Sequence, residues 1–407
     1  MRTAAVAIAL GLLASPRGAE AQDVRELRIV VAAGKHDRKN TPVTVALGEA
    51  TAGSVTLRDA GGRSIPAQLT APSILAGPGA KAELHFVLPE LKAGSTAEFT
   101  ASIRAGEGAA ARGWTSAEGR HAEFAFDGRP VFRYVHDALD ESSKEARERT
   151  YKVFHHVYDP SGKRTVTNGA GGFYPHHRGL FYGWSKVTYG AGRSCNIWGC
   201  NGDAHQAHDR FARSEGGAVV GRHAVEIRWH GAGKDHFAQE LREVGAYNVP
   251  GGNLVEFASE LRALLPPLKL DGDPQHAGFH FRADNEVNER TKAQTVYVRP
   301  DGAGKPGETR NWPGVKTHAD LPWLAMSFVL GEKRYTAAYL DRPDNPKEAR
   351  FSERDYGRFG SYFVAELDGK KPLRVRYRVW LQEGQMTPEE LAAKSADFVD
   401  PPAVSVR

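Results

Sequence analysis

The chain has 407 residues, of which 41% are hydrophobic and 25% are charged, a balance typical of folded proteins long enough for two domains. This composition excludes intrinsic disorder as the dominant character of the chain. The formal net charge is +5, but basic and acidic residues are interspersed and no nucleic-acid-binding motif is present, which argues against nucleic acid as a partner.

The first predicted element is an export signal over residues 1–21. Arg2 supplies the positive start, residues 4–14 form an apolar run, and Ala19-Glu20-Ala21 is a small-x-small cleavage site. The apolar run is too short to span a bilayer, and no later stretch approaches the roughly 20 apolar residues of a transmembrane helix. We therefore expect an exported protein, periplasmic or extracellular, without an integral membrane segment.

Residues 22–103 alternate in hydrophobicity with the period of two that is typical of β-strands. Leu84, Phe86 and Leu88 share one face of such a run, and the pattern returns over residues 97–103. These runs predict a small β-sandwich. Residues 104–120 are rich in glycine, alanine and charge without alternation, so we expect an exposed linker there.

Residues 121–407 carry a stronger strand pattern, with Val225, Ile227 and Trp229 alternating with polar residues and later runs repeating this rhythm. Because helical periods are missing between these runs, the pattern predicts a large antiparallel β-sandwich rather than a parallel α/β fold. One helix is expected near the C-terminus, where Thr387-Pro388-Glu389-Glu390 has the residues of a capping box. The predicted fold class is therefore all-β.

A dense motif, GGFYPHHRGLFYGW, occupies residues 171–184 and is the expected centre of function. Imidazole can move a proton or hold a metal, guanidinium can neutralise a carboxylate, and aromatic faces can stack on sugar rings. The alternative is that the histidines only fill a tight loop. The residues with this chemistry are His176, His177, Arg178, Tyr174 and Trp184.

The two cysteines, Cys195 and Cys200, lie close together in CNIWGC. In an exported protein this pair favours a small-loop disulfide, since the spacing does not fit a CxxC redox pair and a zinc site needs further ligands. Just after them, His205 and His208 are candidate metal ligands, with a solvated loop as the alternative interpretation.

Two further segments carry candidate residues. If Phe279 faces the core, His280 and Arg282 project from the opposite face as a binding surface, preceded by His276 at a glycine-containing turn. The alternative is a face that is merely hydrated.

Further along, Asp355 and Tyr356 place a carboxylate beside a phenol. The alternative for Asp355 is a structural ion pair with Arg354 or Arg358. The local signatures of serine hydrolases, zincins, Rossmann enzymes and P-loop NTPases are missing from the sequence, whereas glycosidases have no comparable short motif.

Several segments spread over about residues 124–401 form a recognisable set: Pro175-His176-His177-Arg178-Gly179-Leu180, Gly183-Trp184, the Trp198 region, Gly278-Phe279, residues 341–346 and Tyr356-Gly357. In these segments the sequence resembles a family of exported bacterial proteins known as PmoA-like, or methane oxygenase PmoA. The membrane subunit of that name is built from transmembrane helices, which this sequence lacks, so we expect no methane oxygenase activity. The resemblance implies a β-sandwich similar to those of galactose-mutarotase-like and polysaccharide-processing proteins.

These observations predict a secreted carbohydrate-active enzyme that cleaves a glycosidic bond as a lyase or a hydrolase. His176 or His177 is the expected general base or acid, Arg178 neutralises an acidic sugar group, and His276 or Asp355 completes the proton transfer. One alternative is a non-catalytic carbohydrate-binding or cell-envelope protein. No motif requires a cofactor; a divalent metal held by His176, His205 and His208 is a further alternative. The expected substrate-binding residues are Tyr174, Trp184, Trp198, His280, Arg282 and Tyr356.

Overall fold

The computed structural model describes residues 24–50, 53–106 and 113–407. The predicted export signal, residues 1–21, lies outside the described residues. Within them the strands pair into antiparallel sheets and far outnumber the helices, which confirms the all-β prediction. The longest helix in this part of the chain has twelve residues, and no helix there could cross a membrane.

The N-terminal strands form a small β-sandwich, as the alternating pattern predicts. The strands are β1 (Val24–Ala32), β2 (Arg38–Leu47), β3 (Gly53–Asp59), β4 (Ser64–Ile65), β5 (Ala67–Thr70), β6 (Ala82–Leu91) and β7 (Thr96–Ala105). Strands β1, β7, β3 and β4 make one sheet, and β2, β6 and β5 make the other. Ile29 and Val31 from the first sheet share a core with Val45 and Phe86 from the second.

The rest of the chain adds a much larger sandwich and two α-helices. The strands are β8 (Trp114–Ala117), β9 (His121–Phe126), β10 (Arg129–Val135), β11 (Phe154–Val157), β12 (Leu180–Trp184), β13 (Lys186–Tyr189), β14 (Arg193–Cys195), β15 (His205–Glu215), β16 (Val220–His230), β17 (His236–Tyr247), β18 (Asn253–Ala263), β19 (Leu268–Asp271), β20 (Ala277–Arg282), β21 (Val296–Arg299), β22 (Gly302–Ala303), β23 (Trp323–Leu330), β24 (Lys333–Asp341), β25 (Arg350–Arg354), β26 (Arg358–Tyr362), β27 (Ala365–Leu367), β28 (Leu373–Glu383) and β29 (Ala403–Val406). The α-helices are α1 (Lys144–Thr150) and α2 (Pro388–Val399), and the short helical turns are Ala232–Lys234, Val287–Thr291 and Lys292–Gln294.

Two large antiparallel sheets pack face to face in this sandwich. One has the order β25-β26-β20-β12-β11-β10-β9-β8, the other β15-β16-β17-β18-β28-β24-β23-β21-β22, and a four-stranded sheet, β14-β13-β19-β27, lies beside them. Aromatic side chains fill the space between the sheets: the Phe257 and Phe279 rings lie 4.4 Å apart, and Phe279 stacks on Tyr377 at 4.8 Å. This shared core explains the strict alternation of the strands.

The two sandwiches are joined at several points. Strand β29, from the C-terminus, pairs with β1 of the small sandwich. Helix α2 begins with the predicted capping box, in which Thr387 and Glu390 bond each other's backbone, and its Asp397 accepts hydrogen bonds from Arg38 and Thr41 of β2. Strand β8 lies within residues 104–120, where the sequence predicts a linker, and pairs with β9. This part of the predicted linker therefore belongs to the large sandwich.

Candidate active site: a histidine cluster in an aromatic cleft

The outer face of the eight-stranded sheet carries the site because strand alternation sorts the side chains of β12. Leu180, Tyr182 and Trp184 point into the sandwich core, whereas Phe181 points outward to a small apolar cluster that includes Phe154. On the neighbouring strand, β20, Phe279 faces the core. The loops that carry the motif histidines cover this outer face.

Trp184 corrects one prediction. Its side chain is fully buried in the core, and its indole N–H donates to the Phe363 carbonyl oxygen at 3.0 Å. It therefore cannot form a stacking wall for a sugar. The physical reason is its place in β12, two residues from the buried Tyr182.

Arg178 corrects a second prediction. The guanidinium is buried, lies 4.6 Å from the centre of the Tyr151 ring, and donates to the backbone carbonyls of Pro175, Arg149 and Glu148. These bonds tie the histidine loop to the end of α1. Because its donors are used in this way, Arg178 supports the loop rather than neutralising a substrate.

The centre of the site is formed by His176, His177 and His276. One imidazole nitrogen from each ring lies within 4.8 Å of the others. The ring centres of His176 and His177 are 4.2 Å apart, and those of His177 and His276 are 5.5 Å apart. His177 is buried, whereas the other two are partly accessible. The structure thus brings together three predicted residues, two of them about a hundred positions before the third.

Asp273, which the sequence analysis missed, orients His276. Its two carboxylate oxygens lie 3.0 and 3.1 Å from His276 Nδ1. Burial alone would raise the pKa of Asp273, but the hydrogen bonds from His276 and from the backbone N–H of Gln275, together with the positive charge of Arg358, outweigh burial and lower it. The available signal in the sequence was DPQH, in which an acidic residue stands three positions before a histidine in a proline-containing turn.

Aromatic rings line the approach to the cluster. The exposed Tyr174 stacks on Tyr356 with ring centres 4.6 Å apart, and Trp198 meets His177 edge-to-face at 5.5 Å. Arg282 lies 5.0 Å above the Tyr356 ring and bonds the backbone around it. Tyr174, Trp198 and Tyr356 therefore lie at the cluster, where their role in binding a substrate stays a prediction, and Arg282 supports Tyr356.

A buried positive charge, also missed, lies beside the cluster. Arg358 Nη1 is 3.2 Å from His280 Nδ1 and 3.4 Å from the Pro274 carbonyl oxygen, while its Nε and Nη2 have no hydrogen-bond partner among the described residues. No carboxylate within that part of the chain forms an ion pair with it. His280 in turn packs its ring 4.7 Å from Trp198.

Lys152, a third missed residue, holds two loops of the site together. Its ammonium donates to the carbonyl oxygen of His176 at 2.9 Å and to that of Trp198, and lies 4.0 Å from the centre of the Phe181 ring. Burial lowers the pKa of Lys152 to about 7. The lysine therefore fixes the spacing between the histidine loop and the tryptophan.

Through His176 and His276 the histidine cluster opens onto a cleft of about 560 Å³, which is also lined by Asp273, Trp198, Asn196 and Lys144, among others. A second cavity, of about 440 Å³, lies between the small sandwich and the nine-stranded sheet. There the charges pair with one another, since Arg222 contacts Glu83, Glu215 and Glu243. Beside the first cleft, by contrast, the Arg358 guanidinium has no ion-pair partner among the described residues. The first cleft is therefore the better candidate site.

His205 and His208 do not join the cluster, which corrects the proposed set of metal ligands. His205 stacks on His230 with ring centres 4.3 Å apart, whereas His208 lies 3.3 Å from the Tyr134 hydroxyl. They belong to a strand, in which residues three apart point to opposite faces. The only group of three or more potential ligands among the described residues is His176, His177 and His276.

The remaining predictions concern Asp355 and the cysteines. Asp355 lies next to Tyr356 in the turn between β25 and β26, and its carboxylate makes no hydrogen bond or ion pair within the described residues. Cys195 and Cys200 are both free thiols, so the predicted disulfide is not formed. Instead, Cys200 Sγ donates to the Ile197 carbonyl oxygen at 3.2 Å.

Comparison with known protein families shows to which family the chain belongs. A model described as "Family of unknown function (DUF6807)" matches residues 121–396, more than half of the sequence. The chain belongs to the DUF6807 family. No curated protein matches the sequence significantly.

Among solved structures, an α-mannosidase from Enterococcus faecalis V583 is similar, with 9% sequence identity and a TM-score of 0.44. The match covers 94% of this chain and 46% of the mannosidase chain, so this chain spans less than half of that protein. At this similarity the likeness carries no argument about activity. The histidine cluster, Asp273, Trp198 and Arg358 all lie within the DUF6807 region.

Buried histidines of the DUF6807 region give a prediction about acid stability. Burial lowers the pKa of His156 to about 4 and that of His223 to about 3, and it also lowers the pKa values of His155, His177 and His280. Each ring is neutral in the folded state but binds a proton near pH 6.5 once unfolded. The stability of the fold is therefore complete above pH 6.5 and decreases as the pH falls towards 4.

The expected slope is about 1.4 kcal/mol per pH unit for each such histidine. Denaturant titrations at several pH values between 7.5 and 4.5 measure this slope. A free energy of unfolding that stays constant over this range would show that the rings are already accessible to protons in the folded chain.

Proposed function

We propose that this chain is a carbohydrate-active enzyme that cleaves a glycosidic bond in the cleft beside the histidine cluster, by elimination next to a sugar carboxylate. The observation that supports this most is the convergence of His176, His177 and His276 with the stacked pair Tyr174 and Tyr356. Imidazoles handle protons near neutral pH, and the exposed ring of Tyr174, stacked on the partly buried Tyr356, offers an aromatic surface to a sugar ring.

The charge around the cleft supports an acidic substrate. Lys144 and Arg147 line it beside the carboxylates of Glu148 and Asp273, and the buried Arg358 adds a further positive charge that forms no ion pair with a carboxylate of the described residues. Positive groups in and around a cleft attract anions and raise their local concentration. A polysaccharide with negatively charged uronic acid units therefore suits these positive charges better than a neutral polysaccharide does.

Elimination also suits the types of side chain present. Glycoside hydrolases ordinarily place two carboxylates on either side of the scissile bond. Here Asp273 is engaged with His276, which leaves Glu148, on α1, as the other carboxylate lining the cleft. A cleft rich in imidazole and poor in free carboxylate favours proton abstraction over displacement by a carboxylate.

In the proposed reaction a base at the histidine cluster removes the proton from the carbon next to the sugar carboxylate. The electron pair of that C–H bond forms a carbon–carbon double bond as the C–O bond to the leaving sugar breaks, and the released oxygen takes up a proton. Positive charge near the carboxylate stabilises the negative charge that develops on it in the transition state. The products are a new chain end and an unsaturated sugar.

Two wider expectations accompany this proposal. Export to the periplasm or the cell exterior, where polysaccharides are met, remains a prediction from the first 21 residues. The resemblance to PmoA-like proteins also remains a prediction, because the matching family has no assigned function. Methane oxidation is not part of the proposal.

A screen of acidic and neutral polysaccharides tests the proposed function. We expect the purified chain to release products with unsaturated ends from a uronic-acid polymer, detected by their ultraviolet absorbance, and to leave neutral polymers intact. New reducing ends without unsaturation would instead identify a hydrolase. Binding without any product would support the alternative of a non-catalytic carbohydrate-binding protein.

A further inference from the structure

The three imidazoles of the cluster have the chemistry and the spacing of a metal site. Neutral imidazole is a preferred ligand of zinc, copper, iron and nickel. The three ligand nitrogens lie within 4.8 Å of one another, so small side-chain rotations would bring all of them to a common ion. The three donors come from two separate loops: His176 and His177 precede β12, His276 precedes β20, and these two strands pair with each other. Lys152 holds the first of these loops by donating to the carbonyl oxygen of His176.

Asp273 gives a second, independent observation. Metal-binding histidines usually donate their other ring N–H to a carboxylate, which fixes the tautomer and directs the free nitrogen at the ion. His276 has this arrangement, with Nδ1 3.0 Å from one Asp273 oxygen and 3.1 Å from the other. The remaining nitrogen, Nε2, is therefore the one available to a ligand.

His177 gives a third observation. Its ring is buried, yet its Nδ1 has no hydrogen-bond partner among the described residues. Buried polar atoms without a partner are uncommon and cost free energy, so each calls for a partner such as an ion. A bound cation would satisfy this part of the cluster.

We propose that His176, His177 and His276 together bind one divalent transition-metal ion, with zinc the best match. Catalytic zinc sites commonly use three protein ligands and leave further positions open to water or substrate, and His176 and His276 face the open cleft. A role of the bound metal in catalysis rests on the function proposed above. Metal binding itself does not depend on that function.

The surrounding charge is consistent with such a role. Neutral imidazoles add no charge, and Asp273 is the only carboxylate among the described residues that bonds to them. The site with its ion would therefore be positive, as an acidic sugar requires. A bound ion would lower the pKa of a coordinated water, which could then act as the base at neutral pH.

Metal analysis of the purified, untagged full chain tests the proposal. We expect one ion per chain by elemental analysis after incubation with zinc and dialysis, and a thermal midpoint that rises with added zinc. The variants His176→Ala and His276→Ala should retain less than a tenth of the metal. Asp273→Asn should weaken metal affinity by about 10- to 100-fold. His230→Ala, in the separate stacked pair with His205, is the matched control and should bind metal normally.

The outcomes separate the metal site from the proposed function. A chain that takes up no zinc, or a His276→Ala variant that binds it normally, overturns the metal site. If the chain binds metal through these histidines but cleaves no polysaccharide, the metal site holds and the proposed function fails. If the metal-free chain cleaves as fast as the loaded chain, the ion has no catalytic role and the proposed function still holds.

Discussion

Replacing His276 by alanine is expected to lower kcat/KM on a uronic-acid polymer by about 10²- to 10⁴-fold, the usual contribution of a positioned acid–base group. The residue is part of the histidine cluster, lines the cleft and is oriented by Asp273. Steady-state kinetics on purified wild type and variant measure the effect. The thermal midpoint should change little, because the side chain is partly exposed and fills no part of the core.

The matched control for this variant is His230→Ala. His230 is also partly exposed and stacks on another histidine, but it lies on β16, away from the cluster. It should retain the activity of the wild type. Equal losses in the two variants would mean that removing any partly exposed histidine disturbs the fold, and would argue against a catalytic role for His276.

The variant Lys152→Met is expected to lose both stability and activity. Methionine keeps the length and apolar stem of the side chain but removes the N–H donors that bond the carbonyls of His176 and Trp198. Each carbonyl left buried without a partner costs about 1–3 kcal/mol. We therefore expect a loss of a few kcal/mol in the free energy of unfolding, together with a lower kcat well below the unfolding temperature.

Denaturant unfolding and kinetics at low temperature separate these two effects. Lys269→Met is the control, because Lys269 is exposed and its ammonium forms an ion pair with Glu366 in the four-stranded sheet, away from the histidine cluster. Unchanged kcat in a folded Lys152→Met protein would show that the lysine stabilises the fold without positioning the histidine loop.

The fold could be predicted from the sequence because hydrophobic residues that alternate with a period of two directly indicate which side chains of a strand are buried. The same rule, applied residue by residue, would have placed Trp184 in the core, since it shares a face with Leu180 and Tyr182. It would also have separated His205 from His208. Both errors came from treating a local concentration of polar and aromatic residues as one surface.

The composition of the site was harder to predict, because it depends on pairing between distant strands. His276 meets His176 and His177 only because β20 lies beside β12, and Arg358 arrives from β26 on the other side of β20. No local sequence pattern predicts which of these strands are neighbours or how their residues align. Asp273, by contrast, lies three residues before His276 and could have been recognised as its partner.

The most direct test of the proposed function is the rate at which unsaturated ends appear when an acidic polysaccharide is incubated with wild type and with His276→Ala, under conditions where both are folded. The proposal predicts steady product formation by the wild type and at least a hundredfold slower formation by the variant, in line with the loss of a positioned acid–base group. Product formation at the same rate by both proteins would contradict it.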